Sequence, residues 1–481
     1  MAISLFNTSL NPFDMRAVVG IRNGRPDTGR LAKEDGSPAG RASPRKTRLS
    51  LTVKKGGPAP PIPLLRQVPM HRSSEDNRNR ALAVLAGLGA LALLGLLILR
   101  GVLRDPGLNS HGALADAFLH GRLWIETCPE IDCALFQGRT YVIFPPLPAL
   151  VALPFVAVFG FPGFKGFVLL ALALGALSLW AWHRIFRALD VEDADALWLL
   201  AAIAFASPLF QVSLRSDGVW FYAQSVGFLM TTLSLWAVIC RRSLPLAGLF
   251  VALAFLCRQM AIFYPLFLLV LALPQHQGRP GAWRETARDL VRPIVLAGIP
   301  VAVALIAYVA YNYARFGSPT ETGYAFIHNP GSSGFIWRRI SEVGIFSRDY
   351  LLFNTLYLFL QGIHFEFGGP YLTQLTGIDR SGSALLVMCP WLLLAFYARL
   401  DRTFAAGAAV IAIIAGITLF YHSNGADQTA TQRYALDWLP ILIVLMLRGE
   451  RPRAFAALPL LVTWGILANA AVTLLTSLYK I

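Results

Sequence analysis

What most limits the folds open to this chain is a series of apolar runs about as long as a bilayer core is thick. The stretch ALAVLAGLGALALLGLLILRGVL at 81–103 is the first, and similar runs of 15 to 25 residues recur through the 481-residue sequence. A helix rises about 1.5 Å per residue, so roughly 20 apolar residues cross a hydrocarbon core of about 30 Å. No soluble core needs so many. Only 14% of the chain is charged and 56% is hydrophobic, whereas soluble domains are roughly 25% charged. Lipid offers no hydrogen bonds, and the alternating ten-residue segments of a barrel are absent, so the spanning elements are expected to be helices. The expected fold class is an all-α polytopic membrane protein of about 11 transmembrane helices, at 81–103, 164–184, 196–213, 219–240, 244–257, 260–274, 292–313, 383–398, 404–421, 435–447 and 454–476.

The net charge of +15 suggests nucleic acid until it is located. Residues 1–80 hold fifteen Lys or Arg against six Asp or Glu, and most of the remaining excess flanks membrane ends, so no nucleic-acid partner is expected. Segments such as GRPDTGRLAKEDGSPAGRASPRKTRLS and KKGGPAPPIP lack the apolar content to fold alone, so 1–80 is expected to be a disordered basic tail ahead of a membrane domain at 81–481. An alternative start at Met70 stays open. No short apolar core with a small-residue cleavage site precedes the first span.

Basic loops stay in the cytoplasm, which sets the expected orientation. With the N-terminus inside, the cytoplasmic segments are the tail, 183–195, Arg241 with Arg242, Gln275 to Arg292, 399–402 and 448–453, nearly all basic. Two long segments, about 104–163 and 314–382, then fall outside, each longer than a connection requires. Their apolar parts, LPALVALPFVAVFG at 147–160 and YLLFNTLYLFLQGIHF at 350–365, are expected as interfacial or re-entrant helices over a cavity. Counting each as a span would give thirteen and place the basic HRIFR outside. Chemistry is then expected on the outer face. Cys128 and Cys133, in CPEIDC, share the first outer segment and are either a small disulfide loop or two free thiols. Cys240, Cys257 and Cys389 fall in spans, and no histidine spacing suggests a zinc site.

The first outer segment carries Asn109, His111, Asp116, Glu126, Asp132, Arg139 and Tyr141 beside membrane ends. The succession LADAFLHGRLWIE, an acidic residue, then GRTYVIFPPLPALVALPFVAVFG resembles the first outer loop of bacterial C-type glycosyltransferases, in their mannosyltransferase-like and aminoarabinose-transferase-like branches. LAGLFVALAFLCRQMAIFYPL, NYARFGSPTETGY at 312–324 and QRYALDWLPIL at 432–442 are similar to further stretches of the same phospholipid-carrier-dependent enzymes, in the same order. The likeness spans 81 to about 450.

The resemblance implies transfer of a monosaccharide, with inversion, from a polyprenyl phosphate donor to a lipid, glycan or protein hydroxyl outside the cytoplasm. The acceptor then needs a general base and the leaving phosphate needs cations. Asp132 is the expected base, although a solvated loop carboxylate would look the same in sequence. Related enzymes carry an acid soon after the first span; here stand Asn109, Ser110 and His111, which makes His111 a substitute base or a structural histidine. Arg139, Arg258 and Arg433 are the expected phosphate ligands. Arg258 interrupts an apolar hairpin, where an isolated charge is expensive unless it snorkels to the headgroups. Tyr141, Asp217, Glu321, Tyr324 and Tyr434 are expected around the substrate, though aromatics populate membrane interfaces in any case and Glu321 would also serve as a loop cap. No HExxH, GxxxxGK[ST] or GxGxxG occurs, so protease, ATPase and dinucleotide readings lack support; no cofactor is indicated for certain, and a divalent metal stays open. Two rivals remain: a transporter or flippase of a lipid-linked or small polar solute, and a silent scaffold of the same fold.

Overall fold

The structure is a computed structural model that describes residues 74–273, 282–327, 335–379, 381–422, 432–449 and 453–479. Residues 1–73 of the expected tail, and parts of the basic segments at 275–292 and 448–453, lie outside the described residues. The first helix begins at Ser74, inside the segment expected to be tail.

The helices in chain order are α1 (Ser74–Leu103), α2 (Ser110–Leu119), α3 (Leu147–Phe159), α4 (Phe167–Ala188), α5 (Asp193–Phe205), α6 (Pro208–Leu214), α7 (Val219–Ile239), α8 (Leu244–Phe255), α9 (Tyr264–Ala272), α10 (Ala282–Phe316), α11 (Phe335–Arg338), α12 (Leu351–Phe359), α13 (Leu385–Met388), α14 (Arg402–Leu419), α15 (Leu439–Leu447) and α16 (Leu458–Tyr479). Strands β1 (Cys133–Phe136) and β2 (Arg139–Val142) form one antiparallel hairpin, and β3 (Phe365–Gly368) and β4 (Gln374–Ile378) another. These hairpins qualify the all-α expectation. Each lies in one of the two long segments expected to stay outside the membrane, where short strands pair locally without lipid to forbid an open edge.

Among the described residues six helices are long and apolar enough to cross a membrane: Val84–Leu103, Phe167–Ala188, Val219–Ile239, Leu290–Phe316, Arg402–Leu419 and Phe455–Leu478. A seventh arises if α5 and α6, bent by 46° at their junction, count as one broken span. The chain is therefore a multi-pass membrane protein, and the expected 11 spans are not all found as continuous helices. Proline explains the shortfall. Pro208, Pro245, Pro265, Pro390 and Pro440 each sit in the first two positions of a short helix, where the missing N–H costs nothing but where a preceding helix must already have ended. The segment expected to span at 383–398 becomes the single turn α13 and a 3-10 helix, Pro390–Tyr397.

Within the bundle α7 is central, with 78% of its most apolar window buried by protein. The corresponding windows of α1 and α10 are only 11% buried, so their leucines and valines require lipid around them. Without a hydrophobic drive between lipid-solvated helices, close packing and polar contacts hold them together. At Gly248 of α8 an added Cβ would lie 2.2 Å from the Ala297 carbonyl of α10, so only glycine permits that approach. Between α16 and its neighbours, Asn469 Nδ2 donates to the Met388 carbonyl at 3.2 Å, and Gln211 of α6 donates to Thr473. Each such bond is worth roughly 1 kcal/mol in a membrane.

Candidate functional site

A cavity of about 480 Å3 opens at one end of the bundle. Its walls come from both expected outer segments: Asp132, Ile143 and Phe144 from the first, and Thr322, Tyr324, Trp337 and Phe346 from the second. Its floor comes from the first turn of α7 at Trp220, the α8–α9 break at Arg258, the end of α14 at Thr418, and Arg433 with Tyr434. The two segments touch directly as well, through a bridge between Ala134 of β1 and Ile327. A hollow of this volume accommodates a small organic ligand, for which about 300–1,000 Å3 is usual.

Asp132 reaches the cavity by an unusual backbone. Its φ is 66°, a left-handed conformation that asparagine and aspartate tolerate better than other side chains. The neighbouring Cys133 is joined to Cys128 by a disulfide and leads into β1, which fixes the chain on either side of the turn. Asp132 Oδ2 accepts from Trp220 Nε1 at 3.1 Å, tying the carboxylate to α7.

Opposite stand two arginines. Gly227 of α7 makes room for one, since a Cβ there would come within 2.8 Å of the Arg258 side chain. Arg258 donates from Nε and Nη2 to the two carboxylate oxygens of Asp437, at 3.0 and 2.5 Å. Its Nη1 edge makes no hydrogen bond among the described residues. The guanidinium lies 5.2 Å from the Tyr434 ring centroid. Arg433 is buried at 7% exposure, with Phe221 and Tyr434 at 5.1 and 4.8 Å from its guanidinium carbon. Its backbone carbonyl accepts from Gln224 Nε2 of α7 at 3.2 Å, and Tyr264 Oη donates to the Asp437 carbonyl at 3.0 Å. The 3-10 turn Arg433–Asp437 is thus clamped from two helices.

Tyr324 Oη and Tyr421 Oη approach to 3.5 Å at the cavity wall. Burial pushes Tyr324 up to about 12, and it lowers His422, another lining residue, to about 4, so both are neutral at neutral pH. The site therefore presents one carboxylate, a paired and an aromatic-boxed guanidinium, and several aromatic faces.

The structure brings together Asp132, Arg258, Arg433, Tyr324 and Tyr434. It does not bring His111, Arg139, Tyr141, Asp217 or Glu321 to the same wall. His111 is fully buried behind Phe144 and beside Tyr222, with ring centroids 6.1 and 6.0 Å away, and burial lowers its pKa to about 3. Arg139 stacks on Trp124 at 5.5 Å on the exposed side of β2. Tyr141 packs on Phe316 in a separate small core, and Glu321 accepts from the Gly323 amide at 2.6 Å as a loop cap. Asp217 is held up in pKa by burial, with Asp105 adding repulsion.

Three functional or organising carboxylates escaped the sequence reading. Asp437 is the partner that Arg258 demands; a cation set between apolar segments points to an anion in another apolar segment, and RYALDW is such a place. Asp105, just past α1, accepts from the amides of Gly107 and Val168 at 2.9 and 3.1 Å and so caps α4 rather than facing the cavity. Glu130 accepts from Ser110 and Val219 amides at 2.7 and 2.9 Å, the first residues of α2 and α7. No group of three or more His, Cys, Asp or Glu side chains suited to a metal occurs among the described residues.

Comparison with known proteins gives no name to this arrangement. No protein-family profile matches the chain. No curated protein and no solved structure matches it either.

Proposed function

We propose that this protein is a membrane glycosyltransferase of the C-type kind, which moves a monosaccharide from a polyprenyl phosphate carrier to an acceptor hydroxyl at the non-cytoplasmic face. The observation that carries the proposal is the meeting of Asp132 with Arg258 and Arg433 in one aromatic-walled hollow at the membrane end of the bundle. A lipid-linked sugar has its reactive bond just outside the hydrocarbon, so its enzyme needs such a group of residues at that depth.

In this reading Asp132 accepts the proton of the acceptor hydroxyl as its oxygen attacks the anomeric carbon. The bond from that carbon to the carrier phosphate breaks with inversion, and the phosphate keeps the electron pair. Arg433 and the Nη1 edge of Arg258 hold the charge gathered on the leaving phosphate. The faces of Trp220, Tyr324 and Tyr434 take the apolar side of the sugar. The remaining spans of the expected 11 are supplied by the proline-interrupted segments, acting as broken or re-entrant elements around the cavity. The same reading puts the N-terminus in the cytoplasm of a bacterial inner membrane.

The test is transfer by purified protein across a panel of polyprenyl phosphate sugars. Asp132→Asn is expected to lower kcat by about 100-fold or more, the usual contribution of a positioned base, with thermal stability unchanged. Wild-type protein that releases no sugar from any donor, but moves lipid-linked sugars between leaflets of proteoliposomes, would replace transfer with transport.

A further inference from the structure

The end of the bundle opposite the candidate site carries a second hollow. Trp220 and Phe221, in the first turn of α7, line the first cavity, whereas Ile239, the last residue of that helix, lines another of about 630 Å3. The 21 residues of α7 separate them, about 30 Å at 1.5 Å per residue, which is the thickness of a hydrocarbon core. The two hollows therefore belong to opposite bilayer faces. His183, Arg184 and Arg187 reach the second from the last turns of α4, and Arg242 reaches it from just beyond α7.

Basic residues at membrane ends are ordinary and all four of these are exposed, but three features set the group apart. Among the described residues no ion pair joins His183, Arg184 or Arg242 to a carboxylate; Arg187 alone has one, with Asp193. The segment 183–195 also carries Asp190, Glu192, Asp193 and Asp195, so what marks the group is the lack, among the described residues, of a carboxylate paired with Arg184 or Arg242, and not a net positive charge. The cations also come from the ends of two helices onto one concavity. Finally, Arg242 occupies a left-handed turn at φ 49°, held by the Ser243 amide donating to the Ala237 carbonyl at 3.0 Å. Glycine adopts that conformation at lower cost, and glycine there would leave the hollow without its α7-side cation.

We infer that this hollow binds the phosphate of an anionic lipid headgroup, in the leaflet facing away from the candidate transfer cavity. Guanidinium forks recognise phosphate whether it is esterified to a lipid or soluble. A lipid is the source argued for, because the hollow lies at the ends of two membrane-crossing helices, at headgroup level, where basic pockets between helices take such groups. The inference does not depend on sugar transfer.

Native mass spectrometry of the full chain, loaded with phosphatidylglycerol or with phosphatidylcholine of the same acyl chains, tests it. Wild-type protein is expected to retain phosphatidylglycerol at least about 10-fold better. Arg184→Gln with Arg242→Gln should cut that retention by roughly 10- to 30-fold, the effect of removing two charges at a membrane surface. The double lysine variant at the same positions should keep most of it, which separates charge loss from misfolding. Equal retention of both lipids by wild type, or unchanged retention in the glutamine variant, overturns the inference. Complete displacement of phosphatidylglycerol by millimolar inorganic phosphate overturns the lipid assignment in favour of a soluble phosphate.

Discussion

Arg258 and Asp437 show how single residues decide this site. Two charges taken out of water are costly, and their attraction repays that cost only when both are present with good geometry. The pair is bidentate, with side chains 21% and 6% exposed. Removing Asp437 alone strands the cation, so Asp437→Ala is expected to destabilise the protein by about 3 kcal/mol, read as a lowered unfolding midpoint in detergent. Arg258→Met combined with Asp437→Leu should recover most of that loss while abolishing any binding of a phosphate donor. A single variant as stable as wild type would show that the ion pair contributes nothing. Sequence alone exposed half of this pair: an arginine among apolar residues is conspicuous, whereas an aspartate at a span's mouth looks like an ordinary boundary. It also named Asp132, Arg433, Tyr324 and Tyr434, which meet in the cavity. His111 and Tyr141 looked equally suitable, because residue type reveals nothing of which side of a short loop helix or hairpin faces inward. Only packing against Tyr222 and Phe316 decides that.

Among elements, the legible ones were those whose apolar run is long and stays one continuous helix, even where it carries proline, as α10 does at Pro293 and Pro300. The six continuous membrane-length helices were all expected near their observed places, because length and hydropathy suffice for them. The proline-started short helices were read as spans because hydropathy counts apolar atoms and ignores a missing N–H. Elements in the segment between α1 and α4 are organised instead by carboxylates. Glu130 accepts amides from the starts of both α2 and α7, so one side chain fixes two helix N-termini that flank the cavity. Burial nevertheless raises its pKa from 4.5 to about 7. Between those values the folded chain holds a proton that the unfolded chain has released, so stability falls as pH rises through that window. The unfolding midpoint of the wild-type protein is expected to drop from pH 5 to pH 8, and Glu130→Gln should flatten the profile. An identical slope in that variant would assign the pH dependence to another group.

At the scale of the whole molecule, the central consequence is two-sidedness. α4 and α7 run side by side, both pass the length and apolarity required of a span, and the two ends of α7 line different hollows. Glu126, in the disulfide-bearing segment, and Glu192, between α4 and α5, are both exposed. They therefore report the two faces without disturbing a core. In a background with the free cysteines replaced by alanine, Glu126→Cys should react in intact cells with a membrane-impermeant thiol reagent. Glu192→Cys should react only after permeabilisation, because the orientation expected from the basic loops places it in the cytoplasm. The reverse pattern would keep α4 and α7 as spans but turn the candidate site toward the cytoplasm, which the proposed donor on the outer leaflet could not reach. Labelling of both positions from one side would remove α4 and α7 from the membrane-crossing set. The separation of the two hollows by a bilayer would then fail with it, and so would the placing of the basic hollow in the leaflet opposite the candidate site.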